Sequence, residues 1–553
     1  MRSANRLAAA QWLVPLAALV FAACSGGESA APRTTLRLAA EAPYAERALE
    51  AASELLAARR LTVEVAETAE MADLLVVTAP PADAAGVPFV TRYWVAAVGL
   101  PHAASGLSMA ELGNMVAGDL NDWSALTGEP LPLRLLLPVD PRPPFEQWWP
   151  GAAVAAEPMP LADIPAALAA DPGALALLPL EAVDARVRSL AVEGVNAVFG
   201  TGSIVSYPLV ERAWVVSRKV GDDQFAQLLA DVASEMAQRL ALPPPEPILL
   251  RATGDIIPAR CVYAKQRQYG DFRHAFLELG PWLADADLAI GSLDASLSDA
   301  GDPFDCVETF SLLAPAASVE GLVYAGFDVI TVATNHVKDC GQGVCGNQAF
   351  FDTLANLQAA GIAPVGGGGD LSAARRPAVL TVRGVRFAFL GYDEIAPHYH
   401  AGAGSPGIAP LNERSLREDI AAAKRLADVV VVLPQWGVEY TADPTARQRA
   451  LAAVAVEAGA DLVVGNHPHW VQAAEAIDGA FVAYALGNFV FDQDWSVPTQ
   501  QGVVLEAAFH GSRLKGVAYH PIRIVDQHQP VFATPAEARE ILDRIWAASA
   551  ALD

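Results

Sequence analysis

Short apolar runs with the length of β-strands recur through the second half of the chain, and most of them end in Asp, Asn or His. The runs cover residues 247–253, 286–290, 327–333, 385–390, 428–433, 461–464 and 480–484. Runs of four to eight apolar residues bounded by Gly and polar residues are typical of buried strands. Ligands of α/β sheets bind beside the carboxyl ends of the strands. The pattern therefore predicts an α/β region whose functional site lies at those ends.

The first half of the chain alternates strand-like and helix-like segments. Strands are predicted over residues 35–40, 61–66 and 73–79. The Ala-rich segment 45–60 predicts a helix, and Ser108 followed by Glu111 predicts a capping box at the start of another helix. Such alternation favours a further α/β fold with a mainly parallel sheet.

A proline-rich segment separates the two halves. Residues 241–247 are ALPPPEP, and consecutive prolines continue neither a helix nor a central strand. We therefore expect a first α/β domain over 37–240, a linker over 241–247 and a second domain over 248–553. Nine of the ten His residues follow the linker, which favours metal or acid–base chemistry in the second domain.

The first residues are typical of an export signal. Arg2 and Arg6 precede an uncharged apolar run, which ends in small residues before Cys24. This pattern predicts a secretory signal peptide over 1–23. The position of Cys24 resembles a bacterial lipobox, which implies a lipidated Cys24 followed by a flexible tether over 24–36. The alternative is an ordinary signal peptide with an incidental Cys. We expect an exported protein that is attached to the membrane by its lipid alone.

The composition excludes several classes of protein. The chain has 553 residues and is 53% hydrophobic, which is too apolar for a disordered protein. Asp and Glu number 63 against 37 Lys and Arg, so the net charge is −26. This acidity argues against nucleic-acid binding, because phosphate contacts need clustered cations. It also argues against docking on an anionic membrane through a basic patch.

Four Cys residues remain when Cys24 is set aside. Export to an oxidising compartment permits disulfides, and four Cys allow three pairings. We favour the pairs Cys261 with Cys306 and Cys340 with Cys345. Four free thiols are the alternative. A zinc site is less favoured because the sequence has no CxxC pair.

The polar residues at the strand ends form a candidate metal centre. The proposed ligands are Asp255, Asp294, Asn335, His467 and His469. Oxygen and imidazole ligands suit Mn, Fe, Zn or Mg, and the set is large enough for two divalent ions. His336 is the candidate acid that protonates a leaving oxygen. We interpret Asp339 as a residue that fixes the Asn-His turn, and Asp393, Glu394, His398 and His400 as a rim or a solvated loop.

The order of these motifs resembles the CapA family of poly-gamma-glutamate or capsule biosynthesis proteins, in the calcineurin-like metallophosphatase superfamily. The matching stretches are GDIIPAR, GSLDASLS, TNHVKDCG, QWGVEY, GNHPHWVQ and YALGNFVFDQ, within residues 248–525. The resemblance implies a four-layer α/β/β/α sandwich in which Asp255, Asp294, Asn335, His467 and His469 are metal ligands. It also implies that His336 is the acid. Arg260, at the end of the first motif, is expected to pair with an anionic substrate.

Three positions differ from the usual pattern of the family. Asp294 stands where the family has a Glu, Gln435 where it has a His, and Asn466 where it has the first His of its His-His-Pro-His motif. Gln435 and Asn466 can offer an amide oxygen in place of an imidazole nitrogen. We therefore include both as weaker ligand candidates.

Two stretches of the first half resemble the phosphate-binding type of periplasmic solute-binding protein. They are LSMAELGNMVAGDLNDWSAL at 107–126 and SYPLVERAWVV at 206–216. The resemblance implies a periplasmic-binding-protein-like α/β domain with a cleft, in which helix N-termini attract a small oxyanion. A spacer domain without a ligand is the alternative.

Together these patterns favour an exported, lipid-anchored CapA-like protein with a metal-dependent hydrolase-type site. Its substrate would be an anionic surface polymer such as poly-gamma-glutamate. One alternative is a surface metallophosphoesterase, unrelated to capsule, that acts on phosphoesters. The other is a non-enzymatic polymer- or solute-binding protein with a degenerate metal site.

Overall fold

The computed structural model describes residues 35–42, 44–79, 86–218 and 223–552. The expected signal peptide, Cys24 and the tether up to residue 34 lie outside these described residues. The first strand begins at Thr35, so the last two residues of the expected tether belong to a strand. None of the described helices is long and apolar enough to cross a membrane.

The described chain forms two compact units. The first contains the residues up to Phe89 together with Ala213–Leu240, and the second contains Val90–Arg212 and the chain from Ala241 onward. Residues 241–247 form neither helix nor strand, and they follow directly on the last residue of the first unit. The expected first domain at 37–240 is thus divided between the units, because its middle part packs with the C-terminal region.

Eleven strands and six α-helices precede the proline-rich segment in the described residues. The strands are β1 (Thr35–Ala40), β2 (Thr62–Val65), β3 (Leu74–Val77), β4 (Gly86–Val98), β5 (Gly106–Leu107), β6 (Arg134–Pro138), β7 (Glu157–Met159), β8 (Ala174–Pro179), β9 (Arg188–Ser189), β10 (Ala191–Val192) and β11 (Val210–Ser217). The helices are α1 (Ala45–Ala57), α2 (Met109–Ala117), α3 (Ser124–Thr127), α4 (Phe145–Trp148), α5 (Ile164–Ala170) and α6 (Asp223–Leu240).

These elements have the α/β character that the alternating sequence pattern predicts. In the first unit, β1 pairs in parallel with β2 and β3, and β11 pairs antiparallel to β3. In the second unit, β6 pairs in parallel with β7 and β8, while β4 pairs antiparallel to β8. The predicted capping box is present, because Ser108 caps α2 and Glu111 binds back to the backbone N–H of Ser108.

The described chain from residue 248 onward contains eighteen further strands and eight α-helices. The strands are β12 (Ile248–Ile256), β13 (Leu288–Leu293), β14 (Ser296–Leu297), β15 (Leu313–Ala314), β16 (Val329–Thr331), β17 (Ala363–Val365), β18 (Gly367–Gly368), β19 (Ala378–Val382), β20 (Val385–Asp393), β21 (Gly407–Ile408), β22 (Val429–Gln435), β23 (Leu462–Val464), β24 (Ala474–Ile477), β25 (Ala480–Ala483), β26 (Asn488–Val490), β27 (Gln501–His510), β28 (Arg513–Val525) and β29 (Gln529–Phe532). The helices are α7 (Cys261–Tyr269), α8 (Gly280–Ala284), α9 (Val319–Tyr324), α10 (Gln348–Ala359), α11 (Leu371–Ala374), α12 (Glu413–Ala423), α13 (Ala446–Ala458) and α14 (Pro535–Ala550).

Two large sheets are built from these strands. The first has the order β17-β16-β13-β12-β27-β28-β29, and β26 pairs with β12. The second has the order β19-β20-β22-β23-β25-β24. The strands β12, β13, β16 and β17 are parallel in the first sheet, as are β20, β22, β23 and β25 in the second. Their carboxyl ends therefore lie along one edge of each sheet.

The two sheets pack face to face, with helices on both outer sides. One core joins Leu250 and Ile290 of the first sheet to Phe387 and Val431 of the second. A second core packs the first sheet against helices that include α7 and α10, and a third packs the second sheet against α12 and α13. This arrangement confirms the four-layer α/β/β/α sandwich. Almost all strand residues in the middle are buried, which explains their continuous apolar runs.

Candidate functional site

The predicted site residues lie at the carboxyl ends of parallel strands from both sheets. Asp255 lies near the end of β12, Asp294 directly follows β13, and Asn335 lies four residues beyond β16. Gln435 ends β22. Residues 466–469 closely follow β23, which, like β22, belongs to the second sheet. The local strand pattern thus predicted where each of these residues stands.

Direct contacts join the strand-end residues of the first sheet to those of the second sheet. The carboxylate of Asp255 accepts the backbone N–H of His467 at 3.2 Å, and it lies 3.5 Å from Nδ1 of His469. The amide of Gln435 donates to Oδ1 of Asn335 at 3.1 Å. The structure therefore brings together residues that are more than two hundred positions apart in the chain.

Six buried acceptor atoms at these strand ends lack a hydrogen-bond partner among the described residues. They are Asp255 Oδ1, Asp294 Oδ2, Asp393 Oδ2, Gln435 Oε1, Asn466 Oδ1 and His467 Nδ1. Buried polar atoms are nearly always paired, so six orphans in one region require an explanation. Carboxylate, amide and imidazole lone pairs are the donors that divalent cations take. The chemistry of this donor set fits a cation.

The acidic and imidazole groups alone do not complete such a site. In the part of the chain that the structure describes, no group of three or more His, Cys, Asp or Glu side chains is close enough to hold a metal ion. Two of the unpartnered atoms are instead amide oxygens, those of Gln435 and Asn466. Both residues stand where the sequence comparison with the family pattern expected weaker ligands.

The two carboxylates at the centre are fully buried. Burial raises the pKa of Asp255 well above its ordinary value, and the charge of Asp294 raises it further. Burial also raises the pKa of Asp294, to about 6, although the neighbouring His336 opposes this effect. Two adjacent carboxylates without solvent favour a positive charge between them. The electrostatics of the site thus agree with its donor chemistry.

His467 and His469 are neutral at physiological pH. Burial lowers the pKa of His467 to about 3 and that of His469 to about 4. Nδ1 of His469 lies 2.8 Å from Oδ1 of Asn488, whose amide nitrogen donates to Gln493 and to the carbonyl of Thr499. This orientation of Asn488 places the proton of His469 on Nδ1. The other ring nitrogen, Nε2, then carries the lone pair.

His336 is the one site histidine whose pKa is raised. Burial lowers its pKa, but the carboxylates of Asp294 and Asp339 outweigh burial and raise it to about 9. Nδ1 of His336 lies 2.7 Å from Oδ2 of Asp339, which also accepts the backbone N–H of Leu312. Asp339 thus has the orienting role expected from the sequence. His336 is a proton donor at neutral pH.

Arg260 has a different partner from the one expected. Its guanidinium forms a two-point ion pair with Asp492, and it donates to the carbonyl of Thr309 at 2.9 Å. Both members of the pair are almost completely buried. In the structure the bidentate partner of Arg260 is thus a carboxylate of the chain itself, and its pairing with an anionic substrate stays a prediction. Sequence reasoning missed Asp492 because it lies 232 residues away from Arg260.

Sequence reasoning also underestimated Asp393 and Asn488. The sequence analysis assigns Asp393 to a rim or a solvated loop, but β20 runs through it and its side chain is fully buried. His400 contacts its backbone carbonyl at 3.0 Å. The strand-end pattern that identified the other candidate residues applies to Asp393 as well. Asn488 likewise follows the apolar run 480–484, within the motif YALGNFVFDQ, but its contact with His469 is visible only in the structure.

The backbone is strained around the site. Four of the non-glycine residues with positive φ are Arg260 (55°), Tyr440 (63°), His467 (99°) and His469 (57°). Such conformations persist only where the surroundings enforce them, and they cluster at functional sites. Gly465 contributes to this constraint, because a Cβ there would meet the carbonyl of Tyr484 at 2.1 Å. A close backbone approach thus fixes the segment that carries both histidines.

Two disulfides lie next to site residues. Cys261 is joined to Cys306, and Cys340 is joined to Cys345, which are the pairs that the sequence analysis favoured. Cys261 follows Arg260 directly, and its backbone N–H donates to Asp492 at 3.0 Å. Cys340 follows Asp339. The disulfides therefore restrain the segments that hold Arg260 and His336.

Comparison with known proteins finds relatives for the C-terminal region. The family model described as "Bacterial capsule synthesis protein PGA_cap" matches residues 249–493. The chain is 32% identical over 290 residues to the PGA biosynthesis protein CapA of Bacillus subtilis (strain 168). That alignment covers 52% of this chain and 73% of the relative. Most of the motifs that carried the resemblance in the sequence lie within the region that the family model matches.

Solved structures resemble parts of the chain at low scores. An ABC-type phosphate transport receptor from Vibrio cholerae matches 38% of this chain over its full length, with a TM-score of 0.27 and 16% identity. A 5'-nucleotidase precursor from Thermus thermophilus matches 56% of this chain and 59% of its own, with a TM-score of 0.29 and 15% identity. The fold assignment therefore rests on the strand order and core packing described above.

The Arg260–Asp492 pair predicts a large loss of stability when it is broken. Asp492→Ala leaves a buried guanidinium without its carboxylate, so we expect the free energy of unfolding to fall by about 3–5 kcal/mol. Glu457→Ala is the matched control, because it breaks the exposed pair with Arg417 and is expected to cost less than about 1 kcal/mol. Urea unfolding followed by tryptophan fluorescence measures both. Equal losses in the two variants would contradict the prediction.

Proposed function

Because the chain belongs to the bacterial capsule synthesis family that includes the PGA biosynthesis protein CapA, we propose that it acts on an anionic surface polymer such as poly-gamma-glutamate. The proposed role is to make, release or anchor this polymer through a metal-dependent hydrolase-type site. Membership of the family supports the process, and the alignment with the Bacillus subtilis relative covers 73% of that protein. The reaction itself is argued from the site.

The convergence of unpartnered buried acceptors carries the proposal of a metal-dependent site. Asp255, Asp294, Asn335, His467 and His469 are the proposed ligands, with Gln435 and Asn466 as amide donors. The orphan oxygens of Asp255, Asp294, Gln435 and Asn466 and the free Nδ1 of His467 support this assignment. The orphan oxygen of Asp393 extends the set. Without a cation, these buried atoms would lose their hydrogen bonds to water on folding, and no other interaction would compensate for that loss.

The residues of the chain have distinct proposed roles in hydrolysis. A divalent cation bound here would act as a Lewis acid and lower the pKa of a bound water. His336, held by Asp339, carries the proton that a leaving oxygen or nitrogen needs. Asn488 fixes the tautomer of His469, so that its Nε2 is free to bind. The bond cleaved is an amide of the polymer or a phosphoester.

We further propose a domain order and a location. Residues 1–23 would be the signal peptide, Cys24 the lipidated residue, and 37–240 a solute-binding-like region that captures a small oxyanion. Residues 241–247 would link it to a catalytic region over 248–553. The charged start, the apolar run and the small residues before Cys24 support export. A polymer of the cell surface is handled at the envelope, which agrees with a lipid-anchored protein facing outward.

Removing a histidine ligand tests for the metal. His467→Ala is expected to weaken Mn²⁺ binding by about 100-fold or more, since even outer-shell partners contribute 10–100-fold. His520→Ala is the matched control, because this His lies on β28 and binds Glu506 at 3.3 Å. Titration calorimetry with Mn²⁺ and metal analysis after dialysis measure the effect. A wild-type protein that takes up no Mn²⁺ or Zn²⁺ would disprove the metal-dependent site.

Turnover tests the role of His336 separately. His336→Gln keeps a hydrogen-bonding side chain but loses the transferable proton, so we expect kcat to fall about 10²–10⁴-fold with unchanged metal content. The substrates are poly-gamma-glutamate, p-nitrophenyl phosphate and bis-p-nitrophenyl phosphate with added Mn²⁺. Cleavage of the phosphoesters alone favours a phosphoesterase. A metal-loaded protein that cleaves none of them favours a binding protein.

Membrane fractionation tests the lipid anchor. Cys24→Ser removes the only thiol that the lipobox-like segment offers, so the exported protein should move from the membrane to the soluble fraction. Ser25→Ala keeps Cys24 and should stay in the membrane fraction. Retention of Cys24→Ser in the membrane would show that another feature attaches the protein.

A further inference from the structure

A groove of about 450 Å³ lies in the second compact unit, and none of the proposed metal ligands contributes to it. Its apolar wall is formed by Tyr93, Leu180, Leu242 and the prolines at 243–245. Its cationic end is formed by His510, the last residue of β27, and by Arg513 and Lys515, near the start of β28. The groove thus combines a largely apolar wall with a cationic end.

Arg513 and Lys515 lie near the start of β28, where the pairing with β27 shifts register at Lys515, and both side chains line the groove. Lys515 is only 7% exposed, and its ammonium donates to the carbonyls of Glu181 at 2.6 Å and Val183 at 2.8 Å. An ammonium has three donors, so one remains for a further acceptor. Neither Arg513 nor Lys515 forms an ion pair with any residue that the structure describes.

Two carboxylates whose charges act on Lys515 are paired with arginines. Glu181, which also lines the groove, is paired with Arg92 at 2.9 Å, and Asp184 is paired with Arg186 at 2.7 Å. His510 uses Nε2 to contact the carbonyl of Val198 at 2.8 Å. Among the residues that line the groove, Glu181 is the one carboxylate, whereas Arg513 and Lys515 bring two cations to it.

We propose that this groove binds a small amphiphilic anion, a medium-length aliphatic carboxylate, whose carboxylate contacts Arg513 and Lys515. Its hydrocarbon chain would lie against Leu180, Leu242 and the prolines. An anion would accept the remaining N–H of the Lys515 ammonium, and charge-assisted hydrogen bonds are the stronger kind. The wall offers Leu and Pro surfaces, and its one aromatic side chain, Tyr93, is itself buried. An aliphatic chain therefore suits it better than a stacked ring.

The size of the groove agrees with this ligand. Small-molecule sites typically measure about 300–1,000 Å³, and a chain of about eight carbons fits comfortably within that range. The groove is open at the surface, because Leu242 is 38% exposed. The proposal is independent of the metal centre, so either can fail without the other.

Binding of octanoate to the full-length protein tests the proposal. We expect saturable binding by titration calorimetry, with octanol bound at least about tenfold more weakly because it lacks the charge. Arg513→Gln should weaken octanoate binding about tenfold by the same reasoning. Arg414→Gln, which changes an arginine of α12 that is 83% exposed, should leave it unchanged.

Lys515→Met provides a second variant, with its unfolding midpoint measured alongside. Arg513 is exposed, so Arg513→Gln decides the question even where Lys515→Met fails to fold. Absence of saturable octanoate binding would overturn the proposal. Equal affinity for octanol, or unchanged affinity in Arg513→Gln, would overturn the assignment of Arg513 and Lys515 as the anion contacts.

Discussion

Two carboxylates, Asp255 and Asp294, are buried side by side at the edge where two facing sheets meet, and much of the surrounding structure serves to accommodate them. Neither side chain reaches solvent. Burial raises the pKa of both carboxyls, and neighbouring carboxylates raise them further, so charge at this edge is costly unless it is balanced. The protonated ring of His336 supplies part of that balance. The unpartnered buried acceptors around them could take the remaining positive charge from a bound cation.

Backbone and side-chain contacts fix the positions of the two histidines that follow β23. His467 and His469 stand in left-handed backbone conformations directly after β23, where Gly465 allows a carbonyl to approach that any side chain would block. Asn488 then fixes the ring of His469, and Gln493 and Thr499 fix Asn488. Strain and layered hydrogen bonds of this kind position ligands before anything binds.

The outer segments of the site depend on covalent and ionic restraints rather than on regular structure. The disulfide at Cys261 and the pair between Arg260 and Asp492 hold the start of α7, while the disulfide between Cys340 and Cys345 follows the turn that carries His336. Disulfides persist in oxidising compartments, which agrees with an exported protein. A reducing environment would loosen both segments next to the site.

The local pattern of apolar runs was enough to identify strands of the two facing sheets after residue 248 and the polar residues at their ends. Asp255, Asn335 and His467 could be named because each follows an apolar run, and parallel strands deliver their ends to one edge. The capping box at Ser108 was equally visible, since both partners lie within one helical turn. Periodicity and motif spacing depend on interactions between residues that are close in the chain. Strands, strand ends and the helix cap could therefore be predicted from them.

Interactions between distant parts of the chain had to await the folded structure. The partner of Arg260, the support of His469 by Asn488 and the burial of Asp393 all depend on how separate strands are placed side by side. No local pattern predicts that residues 90–212 group with the C-terminal region rather than with the rest of the expected first domain. Side-chain partners of this kind are chosen by packing and charge balance in three dimensions, and a linear sequence holds no periodic signal for them.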